Sequence, residues 1–574
     1  SGLSAWLLHH EARVGVVPLA PEAPLIFCFS PLVGTPLTTS AKFAVAAKSP
    51  LTGRFNDSLS SSHFAIEGKK TGADALVVTG AAEAPSILAI DNGNVKLISA
   101  SRLWGLSTRA VADRLRDELG PEYRFAVIGP AGEKLVRYAT ISHERRHAGR
   151  GGLGAVMGAK NIKAIAVRGM QRCSLADPAG VVAAARDLSR RSMGPATAKY
   201  RELGTVSNLL TFNRLNALPT RNFQSGSFDA ANAIGGEALQ QDRQAARDSC
   251  AACTIGCEHI FSAPGGQVRL EYESLFALGS LCGIGDRDVV LEAARMCDEL
   301  GLDTISTGAT IAFAMECSER GLLAEGRLEF GRGDQLLHAI NQISKREGIG
   351  DLLAEGTRRA AEMIGGNSSD FAPHVKGLEI PGYEPRSLQT MALGFAVGSR
   401  GADHNRSGAY EADFSAQADR FHGSPESARF AIATEDKAAL IDSLILCKFL
   451  RGVFSDLYSE SAELLNRVTG WDTTADELRT TAQRIVTAKK LFNLREGWTP
   501  AEDTLPNRFL SEGLPPAAAP GAYLPRERLE QMIRAYYRER GWTDDGYVRQ
   551  DAIQQLSLSD LANGLAAQAV HSGA

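Results

Sequence analysis

Hydrophobic and polar positions follow two rhythms along the chain. Up to about residue 170, short apolar runs are cut by Gly, Pro, Asn and Asp, the pattern of strands joined by turns. Strands are predicted at 25–29, 43–47, 75–79, 86–90, 95–99, 125–128 and 162–167, with one helix at 107–118 capped by Ser107. After Ala176-Asp177-Pro178 the apolar residues recur every three to four positions, the helical period. Helices are predicted at 178–191, 199–214, 287–300, 306–319, 334–346, 349–364, 426–451, 458–467, 474–492 and 526–539. The reading is an α+β multidomain protein: β-rich over 1–170, then mainly helical over 171–380 and 381–574, with the second break in LEIPGYEPR at 378–386. The Pro- and Ala-rich stretch 514–521 is expected as a surface excursion.

The 574 residues suffice for three or four domains of about 150 each, with cores that need no disulfides. A net charge of −4 argues against nucleic acid or an anionic membrane as partner. No apolar run reaches the roughly 18 residues of a membrane span. The sequence opens as Ser1-Gly2-Leu3 with no visible signal peptide, and a preceding piece could have been removed.

Nine cysteines are too few, and odd in number, for a disulfide framework, which points to a reducing compartment, the cytoplasm. Cys28, Cys173, Cys282, Cys297 and Cys317 read as packing residues. Cys250, Cys253 and Cys257 form CxxCxxxC, which suits three corners of a [4Fe–4S] cluster, with Cys447 as candidate fourth ligand. Zinc stays open at this point because His259 lies two residues beyond Cys257.

Five glycines between Gly149 and Gly158 let a backbone approach an anion closely. The order fits neither a Walker loop nor a dinucleotide fingerprint, and no strand is read as leading straight into it. A plain glycine-rich turn is the alternative. Residues 34–43 and 49–53 offer hydroxyls and a lysine that suit phosphates. Asp298-Glu-Leu-Gly-Leu-Asp303 reads as a helix end closed by Gly301, with Ser306 or Thr307 capping the next helix. Asp442-Ser-Leu-Ile-Leu-Cys447 repeats it without the glycine. Either acidic turn could accept N–H donors from a heterocycle, or be only a cap.

Taken together, GRGGLGAVMGAKNIKAIAV, the CxxCxxxC set with LEYES, CDELGLDTISTG, KREGIGDLLAEG, KGLEIPGYEPR and the late DSxxxC resemble the aldehyde:ferredoxin oxidoreductase family of tungsten or molybdenum enzymes, in the family's order over nearly the whole chain. The resemblance implies a bis-pterin metal centre with Mg²⁺ joining the pterin phosphates, a nearby [4Fe–4S] cluster, and a β base under two helical domains. Cys250, Cys253, Cys257 and Cys447 would hold the cluster. Asp298, Leu302 and Asp303 would line one pterin, and Asp442 and Leu446 the other. Leu59 and Ala155 would reach magnesium or phosphate by their backbone, beside Arg150, Gly151, Gly152 and Gly154 of the glycine-rich loop. Lys42 stands where the family usually has an arginine between cluster and pterin, a point charge in place of a bidentate fork. His404 would donate a proton and orient the carbonyl, and Glu273 would act as base for water, with an exchange of the two roles open. Glu292 and His338 fall where some members bind an interface metal.

The resemblance also implies a small aldehyde or acyl substrate, and ferredoxin or an iron–sulfur or flavin subunit as electron partner, in a homodimer or hetero-oligomer. Three departures besides Lys42 stand out. The sequence starts inside the family's GGxGL segment, about thirty residues of β hairpin short, which is expected to open a sheet edge. Ile445 replaces the glycine of the second turn, for which a looser cap is expected. Arg400 and Arg406 add charge that would favour an acidic or acyl-carrying substrate. Two alternatives to aldehyde oxidation are a benzoyl-coenzyme A reductase-type subunit and an electron-transfer scaffold that keeps the cluster but lacks the metal.

Overall fold

The computed structural model describes residues 1–61, 63–323, 325–515, 522–563 and 570–571. Strands β1 (Leu25–Phe29), β2 (Lys42–Lys48), β3 (Phe55–Ser61) and β4 (Ala75–Val78) form an antiparallel sheet in the order β3-β2-β1-β4. A second sheet contains β5 (Ser86–Asp91), β6 (Asn94–Ser99), β7 (Arg124–Val127), β8 (Ile141–His143), β9 (Arg146–Ala148) and β10 (Ile162–Arg168). Its order is β6-β5-β10-β7-β8-β9, and only β5 and β10 run parallel. Strand β1 shows why its apolar run is unbroken. Side chains alternate across a strand, and here Ile26 and Cys28 enter one core while Leu25, Phe27 and Phe29 enter another with Phe43, Phe64 and Ile165.

The seven expected strands are present, with ends moved by a residue or so. Strands β3, β8 and β9 were not expected. The sequence of β3, Phe-Asn-Asp-Ser-Leu-Ser-Ser, is polar, yet the strand is almost wholly buried because its polar groups are paired by distant segments. The N-terminal helix Gly2–Glu11 was also not read. It buries Ala5 and Leu8 in the main core, against helix Ala475–Arg495.

Beyond residue 177 the structure is mainly helical, as the periodicity predicts. Helix Arg287–Leu300 has the expected ends, capped by Asp286 and closed by Gly301 at φ +78°. Three expected helices are interrupted. The 199–214 helix divides at Gly204, and the 349–364 helix ends one segment at Leu353 and begins another at Thr357 after Gly356; both glycines have positive φ. The 426–451 helix is Ser427–Leu444 and stops because Ile445 turns left-handed. Most of the 514–521 excursion, from 516 on, lies outside the described residues. No helix of the described residues is long and apolar enough to cross a membrane.

Candidate active site

A cavity of about 910 Å³ lies where the first sheet, the end of the second and the helical region meet. Its floor contains Lys42 and residues 58–61, including Leu59. Strand β9 runs straight into the glycine-rich loop and helix Leu153–Ala159 leaves it, so the loop is a strand-to-helix turn and not a bulge between strands. Gly149 and Arg150 line the cavity, whereas Gly151, Gly152, Gly154 and Ala155 are not on its wall. A side chain at Gly151 would collide with Asn56, at Gly152 with the carbonyl of Arg137, and at Gly154 with that of Thr140. The close approach these glycines permit is therefore to the protein's own chain. Ala155 is buried in the main core.

The two acidic turns face the cavity from different helices. Asp298 stands 3.1 Å from His147 Nε2. Asp303, not Ser306 or Thr307, caps helix Thr304–Glu319, accepting from the Ile305 and Ser306 backbone; the Ser306 hydroxyl donates to it at 2.8 Å. Leu302 lines the cavity and is bridged to Ala139 of the β region. In the second turn Asp442 and Cys447 line the cavity, while Leu446 points into the second helical core. Ile445 adopts the left-handed conformation at φ +57°, so the turn is not looser than its glycine counterpart.

A buried ionic network fixes the roof to the floor. Asp57 of β3 accepts from Arg406 Nε at 2.9 Å and Lys489 Nζ at 3.2 Å. Arg406 also pairs with Asp442 at 2.5 Å, and Arg400 pairs with Asp403 and donates to the Asp57 carbonyl. These cations hold the carboxyl of Asp57 well below the usual carboxylate range, against the opposing effect of its burial. Arg400 and Arg406 are thus neutralised from within, and the excess charge expected to attract an acidic substrate is internal structure. Arg150 donates to the carbonyls of Ala402 and Glu379 at 2.7 and 2.6 Å, with Asp303 at 3.5 Å.

Cys250, Cys257 and Cys447 line one wall, and Cys253 packs with Cys257 and Leu446 in the core behind it. All nine cysteines are unpaired. Burial raises the Cys253 thiol to about 11, and the neighbouring Cys447 and Cys250 add to the effect. His259 turns its Nε2 to the Tyr200 carbonyl at 3.4 Å. Among the described residues no three His, Cys, Asp or Glu side chains converge as they would around a single ion. Thiols around a cubane stand farther apart than ligands around one ion.

Glu273, in helix Tyr272–Leu278, and His404, at the start of His404–Ser407, meet with His404 Nε2 3.6 Å from Glu273 Oε1. Glu273 Oε2 accepts from the Gly382 N–H at 3.0 Å, and Oε1 has no hydrogen-bond partner. Burial raises the Glu273 carboxyl to about 8 and lowers His404 to about 3. At neutral pH the acid is protonated and the imidazole is neutral. Tyr383 stacks on His404 with centroids 4.9 Å apart. Glu292 lies elsewhere, paired with Arg295 at 2.6 Å and accepting from the Gly265 N–H, and His338 is on the exposed face of helix Gly333–Lys345.

Buried polar atoms without a hydrogen-bond partner face this space: Arg400 Nε, Glu273 Oε1 and His404 Nδ1. Such atoms are costly unless something satisfies them. With four soft thiols and a volume near the top of the usual ligand-pocket range, they fit a large polar cofactor beside an iron–sulfur cluster. Asp57, Arg146, His147, Arg269 and the wall tyrosines were not singled out from sequence. The Arg146-His147 pair just before Gly149 was the one available signal.

Comparison with known proteins makes this an oxidoreductase. The aldehyde ferredoxin oxidoreductase N-terminal domain matches residues 1–169, and domains 2 and 3 of that family match residues 182–558. The chain belongs to the aldehyde ferredoxin oxidoreductase family. It is 38% identical to the tungsten-containing aldehyde ferredoxin oxidoreductase of Pyrococcus furiosus, over 97% of this chain and 94% of that one. Its identity to the aliphatic sulfonate oxidoreductase WOR-like subunit of the same organism is 28%, over 97% and 92%. The fold also matches the active-site complex BamBC of benzoyl coenzyme A reductase with 1,5-dienoyl-CoA, at TM-score 0.83 and 24% identity over 97% and 92% of the chains.

Proposed function

We propose that this protein oxidises aldehydes to carboxylic acids in the cytoplasm and passes the electrons to ferredoxin or to an iron–sulfur or flavin subunit, as a homodimer or hetero-oligomer. One observation carries the reading: a single cavity is lined by cysteines of the four-thiol group, both acidic turns and the Glu273–His404 pair. Full-length similarity to tungsten-containing aldehyde ferredoxin oxidoreductases supports it.

Cys250, Cys253, Cys257 and Cys447 would hold a [4Fe–4S] cluster. Asp298, Leu302 and Asp303 would hold one pterin of a tungsten or molybdenum bis-pterin, and Asp442 the other, with the Leu446 side chain packed in the core behind it. Lys42, Arg150 and the Leu59 backbone would meet phosphates and Mg²⁺. When bound, these groups supply two-electron redox chemistry and a one-electron relay. Aldehyde plus water gives acid, two protons and two electrons. Glu273 holds its proton at Oε1, the oxygen left free by the Gly382 contact, and can donate it toward the carbonyl oxygen. Neutral His404 would orient the attacking water and accept its proton, which returns to Glu273, while the two protons released on oxidation leave to solvent. This is the exchanged form of the assignment expected from sequence, and the directions in which burial moves the two groups support it.

The test is metal analysis followed by aldehyde-dependent viologen reduction. One W or Mo and about four Fe per chain, with turnover on aldehydes, is expected. Turnover on benzoyl-CoA but on no aldehyde would favour the ring-reductase alternative, and iron without W or Mo the scaffold. Glu273→Gln should lower turnover about 100-fold with metal retained. Because the Glu273 carboxyl is raised to about 8, its acid form prevails below that pH. Activity should fall as pH rises through about 8, and this limb should vanish in Glu273→Gln. An unchanged pH profile would remove Glu273 from its role.

A further inference from the structure

The cavity has two chemically different ends. Toward β3 it is ionic, and Arg400 and Arg406 there are matched by Asp57, Asp403 and Asp442. Away from that end the wall carries a row of rings among polar residues such as Asn208 and Thr211. From His404 the next ring is Tyr383, at 4.9 Å and 26°. Phe212 follows at 5.2 Å, and then Phe414 at 5.2 Å and 24°. Tyr410 stacks on Tyr383 at 4.9 Å and 28°. All of these line the same cavity as Glu273. Phe212 is buried, whereas Phe414 is 41% exposed, so the series runs from the Glu273–His404 pair to the surface.

We propose that this row is the substrate channel and that it selects aldehydes carrying a flat aromatic group, with the ring held against Phe212, Phe414 and Tyr383 and the carbonyl at Glu273 and His404. The inference rests on the aldehyde-oxidation reading and adds the substrate class to it. Aromatic rings favour offset-stacked and edge-to-face partners over aliphatic ones of the same size, and both geometries are present, as Phe212 meets Tyr383 at 61° and Tyr272 at 83°. At this end Arg451 is engaged by the Tyr410 hydroxyl and Glu411, each at 2.9 Å, and Lys199 and Lys448 also line the cavity.

The metal-replete protein is assayed with benzaldehyde, cyclohexanecarbaldehyde and acetaldehyde. Cyclohexanecarbaldehyde matches the hydrophobic bulk of benzaldehyde without its flatness. The expected kcat/KM for benzaldehyde is about tenfold or more above both others, and Phe414→Ala and Phe212→Ala each lower the benzaldehyde-to-acetaldehyde ratio by up to about tenfold, the upper range for one aromatic pair. Phe414→Tyr should restore the ratio. Calorimetric binding of benzoate, cyclohexanecarboxylate and acetate to the same protein gives a readout independent of turnover, with benzoate expected tightest. Equal preference for the flat and the saturated ring, or ratios unmoved by both alanine variants, overturns the channel. Selective benzoate binding without turnover of any aldehyde would leave the channel standing and sink the oxidation reading.

Discussion

The two acidic turns follow the same backbone path by opposite means. In the first, the Cys297 carbonyl accepts from the N–H groups of Gly301 and Leu302 at 2.9 and 2.8 Å. In the second, the Ile441 carbonyl accepts from Ile445 and Leu446. The fourth residue of each is left-handed, at φ +78° and +57°. At Gly301 a Cβ would sit 2.9 Å from the Gly129 backbone nitrogen, so no side chain fits. At position 445 there is a space, and the Ile445 side chain fills it, 1% exposed in the main core. Left-handed backbone costs a non-glycine residue about 1–2 kcal/mol, whereas burying an isoleucine contributes about 1.5–3 kcal/mol. Packing exceeds strain, and the turn forms without glycine. The same cap can therefore be specified by an absent side chain or by a well-buried one.

The turns differ again at their last residue. Asp303 caps a helix, while Cys447 presents a thiol to the cavity and is steadied by its N–H donating to Thr39 Oγ1 at 3.3 Å. The largest expected contrast lies here. Cys447→Ala should abolish electron transfer, with turnover below about 1% and iron well under the four atoms of one cubane, whereas Asp303→Ala should keep its iron. Colorimetric iron analysis decides, and full iron in Cys447→Ala would break the ligand assignment.

Next in size is Gly301→Ile, which writes the second turn's residue into the first. Left-handed strain and the collision with Gly129 together should destabilise by about 3 kcal/mol or more, read from the denaturant midpoint. A neutral outcome would mean that Gly129 can retreat. The reverse exchange, Ile445→Gly, relieves strain but empties a packed site, and about 1–2 kcal/mol of destabilisation should remain. A stabilised Ile445→Gly would show that strain, not packing, dominates the second turn. The smallest effect is the cap itself: Asp303→Ala should cost about 1 kcal/mol, visible as a lowered unfolding midpoint.

Much of this was legible along the chain. Helix Arg287–Leu300 shows both its period and its stop signal, Gly301. Strand β1 shows its two-sided burial as an unbroken apolar run. Strand β3 could not be read, because its buried polar residues are satisfied by Arg406, Lys489 and the Arg150 carbonyl, hundreds of positions or a sheet away. The over-long 426–451 prediction has a different origin, the left-handed Ile445 held by packing. No glycine or proline marks Ile445, and the apolar period continues through it.

The sequence alone determined what kinds of chemistry the chain could offer: the spaced thiols, the two acidic turns, and the family to which its motifs belong. Local spacing and side-chain type suffice for that, because ligand preference is a property of the residue. Only the tertiary structure decided how those groups are charged and what they face. Burial raised Glu273 to about 8 and lowered His404 to about 3. Internal aspartates neutralised Arg400 and Arg406. The glycine-rich loop turned its close approach onto neighbouring segments of the protein, and aromatic rings from three separate segments came into one row beside Glu273. Desolvation, charge compensation and stacking depend on which distant segments meet, and no local pattern encodes them.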